Sequence, residues 1–242
     1  MSLKDRIVFL TGAGGGIGNV IATDLAKENA TVVLFGGNNL DNLNKTRDQV
    51  VALGGKCYVF ACDLTDDNAL YKAFNDALDR VEGIDVLINN AGMAYNSSIE
   101  QTPVEIYDKI MKINARVPFV LTQIALPYLK KSDRASIINI ASVVGHSGYP
   151  EQSAYSSSKH ALLGFTKSLA NEVYKDGVRV HAISPGGVYT DMIKIARPDL
   201  DGQDMIQAQD VSQAVMFLLK NRTNAVIDEI IMHRAGKPPF LV

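Results

Sequence analysis

Short apolar runs, many of them β-branched, alternate with longer amphipathic stretches along the whole 242-residue chain. The runs predict strands at Arg6–Leu10, Thr31–Phe35, Lys56–Ala61, Val86–Asn89, Ser136–Ile140, Arg179–Ser184 and Glu229–Met232. They are nearly continuous in apolar residues, as strands covered on both faces must be. The stretches between them predict helices over Gly16–Asn29, Leu40–Leu53, Asp66–Val81, Pro103–Lys131, Ala154–Asp176 and Asp210–Leu219, the fourth broken into two near Pro118. Regular alternation of this kind predicts an α/β fold, a doubly wound parallel sheet with helices on both faces. In such sheets ligands bind beyond the carboxyl ends of the strands.

No Pro/Ser run, charge block or internal repeat interrupts the pattern, so residues 1–242 are expected to form a single domain. Lys and Arg number 24 against 26 Asp and Glu. That balance argues against a nucleic-acid or polybasic membrane binder. No apolar run approaches the roughly 20 residues that span a bilayer. The chain enters its first strand almost at once, which leaves no room for a signal peptide. Cys57 and Cys62 fall in one predicted strand, too far apart to pair, so reduced thiols in a cytoplasmic protein are expected. His146, His160, His181 and His233 lack metal-ligand spacing. His181, inside a strand, reads as a core histidine.

The first strand runs into Thr11-Gly12-Ala13-Gly14-Gly15-Gly16-Ile17-Gly18, and a helix follows. Glycines there permit a tight turn, close approach of backbone to a pyrophosphate, and close helix–strand packing. The helix amino terminus offers free N–H groups to phosphate. The position of this cluster in a βαβ unit points to dinucleotide binding in a Rossmann-type fold. Asp63 and Leu64 follow the third strand. The Asp63 carboxylate is suited to accept the adenine amino group, or else to cap the helix of the Asp66 segment. Asn90, Ala91 and Gly92 end the fourth strand, where small residues leave space for the adenine ribose and Asn side chains can tie neighbouring strands.

Tyr155 and Lys159 stand four apart on a predicted helix and face the same way. An ammonium near a phenol favours the phenolate and is expected to lower its pKa from about 10. That would make Tyr155 a proton donor or acceptor near neutral pH. Ser142 ends the fifth strand, where it either holds a substrate oxygen or forms a turn. Asn114 lies at the helix break, with a kink-stabilising hydrogen bond and a part in a water relay both open to it.

Thr-Gly-x-x-x-Gly-Ile-Gly, Asn-Asn-Ala-Gly, the mid-helix Asn, the Ser, Tyr-x-x-x-Lys and Ser-Pro-Gly occur in the order and spacing of the short-chain dehydrogenase/reductase family, and the chain resembles that family over nearly its whole length. The resemblance implies an NAD(P)-dependent oxidoreductase interconverting a carbonyl and an alcohol. It implies Asn114, Ser142, Tyr155 and Lys159 as the catalytic tetrad, with Lys159 also on the nicotinamide ribose. Pro185, Gly186, Val188 and Thr190 would contact the nicotinamide. It further implies a homodimer or homotetramer, and here Phe119, Leu163 and Phe165 supply more apolar surface than one monomer easily hides. Two alternatives stand beside this reading: a non-catalytic dinucleotide-binding sensor or scaffold, and a 3-oxoacyl reductase acting on acyl carrier protein. An epimerase or dehydratase of the extended branch is disfavoured for want of a longer substrate domain.

The chain departs from the family pattern in three places. The carboxyl-terminal Ile230–Gly236 segment differs from the common Val-Asp-Gly-Gly ending. The substrate lid, expected at about 190–209, is short. The second strand ends Phe35-Gly36-Gly37-Asn38, without the Asp of NAD users at Gly36 or the Arg of NADP users at Gly37 or a basic residue at Gly15. The absence of a carboxylate at Gly36, with Asn38, Asn39, Lys45 and Arg47 near in sequence, predicts a modest preference for NADP(H) over NAD(H). Met93, Tyr95, Val144, Tyr149 and Gly187 are the candidate pocket neighbours and lean apolar. Asp133 and Asp176 would align with arginines that dock an acidic carrier, so a free small-molecule substrate is expected.

Overall fold

The computed structural model describes residues 2–37, 40–190, 193 and 202–238. Seven parallel strands form the main sheet: β1 (Ile7–Thr11), β2 (Thr31–Gly36), β3 (Lys56–Ala61), β4 (Val86–Asn89), β5 (Ser136–Ile140), β6 (Arg179–Pro185) and β9 (Glu229–Met232). Their order is β3-β2-β1-β4-β5-β6-β9, a doubly wound sheet that reverses direction at β1 and β4. A second, two-stranded parallel pair joins β7 (Val188–Tyr189) to β8 (Ile206–Gln207). The sequence pattern missed that pair because two-residue strands carry no periodicity.

The strands are apolar on both faces because both faces are covered. Val8, Leu10, Val32, Leu34, Val86 and Ile88 pack into one layer, with α1 (Gly16–Lys27), α2 (Leu40–Ala52) and α7 (Ala208–Lys220). Phe9, Val33, Phe35, Leu87 and Ile137 alternate with them into the other layer, against α3 (Asp67–Leu78) and α5 (Val117–Leu129). The strand period of two thus divides the core between two helical layers. Cys62 lies one residue past β3, and both thiols are free. His181 is buried in β6, where its Nδ1 sits 2.7 Å from the carbonyl oxygen of Ile227, as a core histidine should.

The helix expected to break near Pro118 breaks earlier. α4 (Val104–Met111) ends in one π-helical turn over Lys112–Arg116, and α5 then starts with Pro118 in its first turn. Proline is tolerated there because first-turn N–H groups have no helical acceptor. The interruption is therefore centred on Asn114. α6 (Ser153–Val173) is followed by a 3-10 turn over Tyr174–Asp176, and Gly177 with φ of +74° ends it.

Candidate active site

The glycine turn is packed too closely for side chains. A Cβ on Gly12, which has φ of +66°, would lie 2.7 Å from Ala91 Cα. One on Gly18 would lie 2.3 Å from the Gly12 carbonyl oxygen. These contacts press the turn, α1 and the end of β4 together. Gly15, by contrast, faces open space, and as the N-cap of α1 it supplies no side-chain cap. Gly14 approaches Asn42, and Gly16 lies under the Thr190 methyl. Ile17 packs against the first core layer. Uncapped helix N–H groups beside an open glycine backbone fit a pyrophosphate.

Asn90 acts as a strut: its Nδ2 donates to the carbonyls of Thr11 at 3.0 Å and Gly12 at 3.1 Å. Thr11 Oγ1 in turn accepts from the N–H groups of Asn90 and Ala91, both at 3.0 Å. Asp63 does not cap α3; that role falls to Asp66, which accepts from the Ala69 N–H at 3.1 Å. Asp63 Oδ1 accepts from the Thr65 N–H at 2.8 Å and hydroxyl at 2.7 Å, and these bonds hold its pKa below the usual carboxylate value. Leu64 is buried in the second core layer. Gly37 faces open space at the end of β2, and Asn38 lies outside the described residues.

Asn114, Ser142, Tyr155 and Lys159 converge beside the carboxyl ends of β4 and β5. Asn114 is buried and fully engaged: Oδ1 accepts from the Met93 N–H, and Nδ2 donates to the Met93 carbonyl, each at 2.8 Å, and to Ser158 Oγ at 2.9 Å. The side chain clips the π turn to β4's exit and to α6, with both amide protons committed, as the kink-stabilising reading expects. Gly92 passes directly over it; a Cβ there would lie 3.4 Å from Asn114 Oδ1 and 3.9 Å from Lys159 Nζ.

Ser142 takes the turn-forming role of the two expected for it. It caps the 3-10 turn Val143–Gly145 by accepting from the Val144 N–H at 3.4 Å, and donates to the Pro185 carbonyl at 3.3 Å. Its hydroxyl also hydrogen-bonds the Tyr155 phenol. Lys159 is buried, donates from Nζ to the Ile140 carbonyl at 2.8 Å, and sits 5.8 Å from the centre of the Tyr155 ring.

The phenol departs from expectation. Burial pushes the Tyr155 pKa up, and the Ser142 hydrogen bond only partly opposes that. Lys159 does not reverse it, because burial lowers the lysine's own pKa to about 8 and its nitrogen is turned to a backbone carbonyl. The raised pKa favours the neutral phenol over the phenolate.

Of the residues expected on the nicotinamide side, the Gly186 N–H donates to the Met232 carbonyl at 2.7 Å, which fixes Pro185-Gly186 to β9. Val188 is buried in β7. Thr190 starts the segment 190–209 expected as a substrate lid, of which residues 191, 192 and 194–201 lie outside the described residues. Ser158, which holds Asn114 together with Met93, is not singled out by the sequence, where its only local signal is that it precedes Lys159; Met93 is expected there as a pocket neighbour, not as a partner of Asn114.

A glycine-turned first βαβ unit and a Tyr–Lys pair one helical turn apart at the sheet's carboxyl edge define a dinucleotide-dependent dehydrogenase architecture. Residues 6–201 match the short chain dehydrogenase family. D-beta-hydroxybutyrate dehydrogenase of Rhizobium meliloti is 36% identical over 213 residues, covering 88% of this chain and 83% of its own. A 3-oxoacyl-[acyl-carrier-protein] reductase of Thermotoga maritima is 29% identical over 240 residues, covering 96% and 97%. The crystal structure of levodione reductase superposes with a TM-score of 0.88 at 26% identity, over 97% of this chain and 98% of the other. The chain belongs to the short-chain dehydrogenase family, and it is an oxidoreductase acting on CH–OH groups with an NAD(P)-binding Rossmann fold. Membership in that family of oxidoreductases sets aside the non-catalytic sensor. Among the described residues no helix is long and apolar enough to cross a membrane, and no group of His, Cys, Asp or Glu is arranged to hold a metal.

Proposed function

We propose that this protein interconverts a carbonyl and a secondary alcohol on a free small molecule, with Tyr155 as acid/base. The observation that carries the proposal is the meeting of Ser142, Tyr155 and Lys159 at one point beside the glycine turn. Ser142 and Tyr155 hydrogen-bond the carbonyl oxygen, and Tyr155 gives its proton to that oxygen as negative charge develops there. The nicotinamide, when bound, supplies the hydride for reduction and accepts it in the reverse direction. Lys159 lies close enough to steady the phenolate that remains. Asn114 holds the π turn and Met93 against α6, a positioning part. Pro185, Gly186, Val188 and Thr190 line the nicotinamide side, and Gly12, Gly14–Gly16, Ile17 and Gly18 the pyrophosphate side. Loss of turnover in a Tyr155→Phe variant that still binds cofactor tests the assignment.

NADP(H) is the preferred cofactor by a modest margin. Gly36 presents no carboxylate to repel a 2′-phosphate, but Arg47 does not help to bind one. It pairs with Asp48 at 2.8 Å and lies beside Cys57, near the amino ends of β2 and β3, away from Gly36. The single seven-stranded sheet supports one domain over residues 1–242. Free thiols at Cys57 and Cys62 suit a reducing cytoplasm. A homodimer or homotetramer is supported by a largely apolar groove on α4–α6, lined by Met111, Ala115, Phe119, Ala161 and Phe165 together with Asp108, Lys112 and Arg116. Leu163 does not contribute to it, being buried within the subunit.

The 3-oxoacyl carrier reductase remains the second reading, favoured by one observation. Asp133 pairs with Arg6 at 2.6 Å and Asp176 with Lys130 at 2.7 Å, so the two acidic positions that would oppose an acidic carrier are partly neutralised.

A further inference from the structure

Glu229 opens the last strand, in register with Ala182 of β6. One of its oxygens, Oε1, is shared by two groups from separate segments. His146 Nε2 lies 2.6 Å from it, although the two residues are 83 apart in the chain. Ser184 Oγ donates a short hydrogen bond to the same oxygen. A carboxylate only accepts, so the imidazole carries a proton on Nε2. The His146 and Glu229 side chains are largely buried, 22% and 18% exposed. A bond there is worth more than at a wet surface.

Each partner adjoins a reacting segment. Ser184 precedes Pro185, whose carbonyl accepts from Ser142 Oγ at 3.3 Å. His146 closes the 3-10 turn that Ser142 opens, its N–H donating to the Val143 carbonyl at 3.0 Å. The bonds make a closed ring from Glu229 through Ser184 and Pro185 to Ser142, along the turn to His146, and back to the same carboxylate oxygen. Without Glu229 the turn keeps the bond of Ser156 Oγ to the Val144 carbonyl at 2.8 Å, which ties it to α6, while the Ser142–Pro185 bond at 3.3 Å loses the support of Ser184 and His146 on either side of it.

We propose that Glu229 is a positioning residue that, through His146 and Ser184, sets the Ser142 hydroxyl against the nicotinamide loop and so fixes where the substrate carbonyl sits. This rests on the assignment of Ser142 as a carbonyl-holding group. Displacements of about 1 Å in such a group cost up to roughly a hundredfold in rate.

The test measures purified E229A, E229Q, H146A, S184A and S142A for carbonyl kcat and KM, for cofactor Kd by NADPH fluorescence, and for Tm. E229A is expected to lower carbonyl kcat/KM about tenfold or more while cofactor Kd stays within about twofold. E229Q keeps an acceptor oxygen and is expected to recover most of the loss. H146A added to E229A is expected to cost little more, since both act through one bond. The inference is overturned if E229A lowers Tm yet keeps kcat/KM, if cofactor Kd weakens as much as kcat/KM, or if E229Q is no better than E229A. Should E229A fail to fold, the H146A/S184A double variant carries the same expectation. An active S142A variant overturns the Ser142 assignment and this inference together; an inactive S142A with an intact E229A overturns this inference alone.

Discussion

Lys159 Nζ stands 5.8 Å from the centre of the Tyr155 ring and donates to the Ile140 carbonyl at 2.8 Å. The ammonium is thus held beneath the phenol by the end of β5. Under the proposed acid/base role of Tyr155 that charge would steady the phenolate, while burial pushes the phenol's pKa up beforehand.

Replacing Tyr155 by Phe should remove the proton donor and keep the ring's packing. Turnover is expected to fall by about a hundredfold or more, the usual worth of a positioned acid. Cofactor Kd, read by NADPH fluorescence, should change by less than about twofold. Residual kcat above a few per cent of wild type would place the acid elsewhere.

Lys159 provides a pH signature. Its folded pKa, about 8, is below the ordinary 10.5 because burial disfavours the charged form. Below pH 8 the lysine is charged in both folded and unfolded states, and its full burial penalty applies. Between about 8 and 10.5 the unfolded chain binds more protons, so this residue's contribution to stability rises with pH. The difference in unfolding free energy between wild type and Lys159→Met, measured on cofactor-free protein, should grow in wild type's favour across that window. A difference that is flat with pH would contradict the assigned burial.

Cofactor choice should respond to two residues together. A Cβ on Gly36 would lie 2.9 to 3.2 Å from the Leu43 side chain, which is fully buried. Gly36→Asp alone is expected to destabilise the protein by about 1–3 kcal/mol through overpacking, with little gain in NAD(H) binding. Gly36→Asp combined with Leu43→Ala should free the carboxylate and move the ratio of NADPH to NADH Kd at least about tenfold toward NADH. Fluorescence titration reads both constants, and a full switch in the single variant would show that Leu43 yields easily.

Carrier preference is decided by one comparison. The same 3-oxoacyl group is presented on acyl carrier protein and on a minimal thioester. With Asp133 and Asp176 beside the basic residues, the carrier is expected to raise kcat/KM by less than about threefold, since an unfavourable interfacial charge can cost several kcal/mol. A large, salt-sensitive gain would favour the second reading.

Phe119 is 51% exposed and its ring centre lies 5.4 Å from that of Phe165. Phe119→Asp should place a charge in the centre of this apolar groove and raise the dimer dissociation constant at least about tenfold. Light scattering across a dilution series checks it. An unchanged oligomer would move the interface to another face.

The seven main strands, the glycine turn and the Tyr155–Lys159 pair are legible in the chain itself. Each is written over a few neighbouring residues: continuous apolar runs for strands buried on both faces, glycines where backbone must approach backbone, and a four-residue spacing that one helical turn converts into proximity. The break in the fourth helix is legible but displaced, because Pro118 marks a first turn as well as a kink, and only the bonds of Asn114 to Met93 and Ser158 choose the π turn instead. The direction of the Tyr155 pKa depends on tertiary structure, because burial of both phenol and ammonium outweighs what their spacing implies. So does the meeting of Glu229 with His146 and Ser184, since their contact exists only once parallel strands distant in sequence lie side by side. Local spacing specifies which elements form and which residues they carry; burial and long-range hydrogen bonds arise only from packing, and they set how those residues behave.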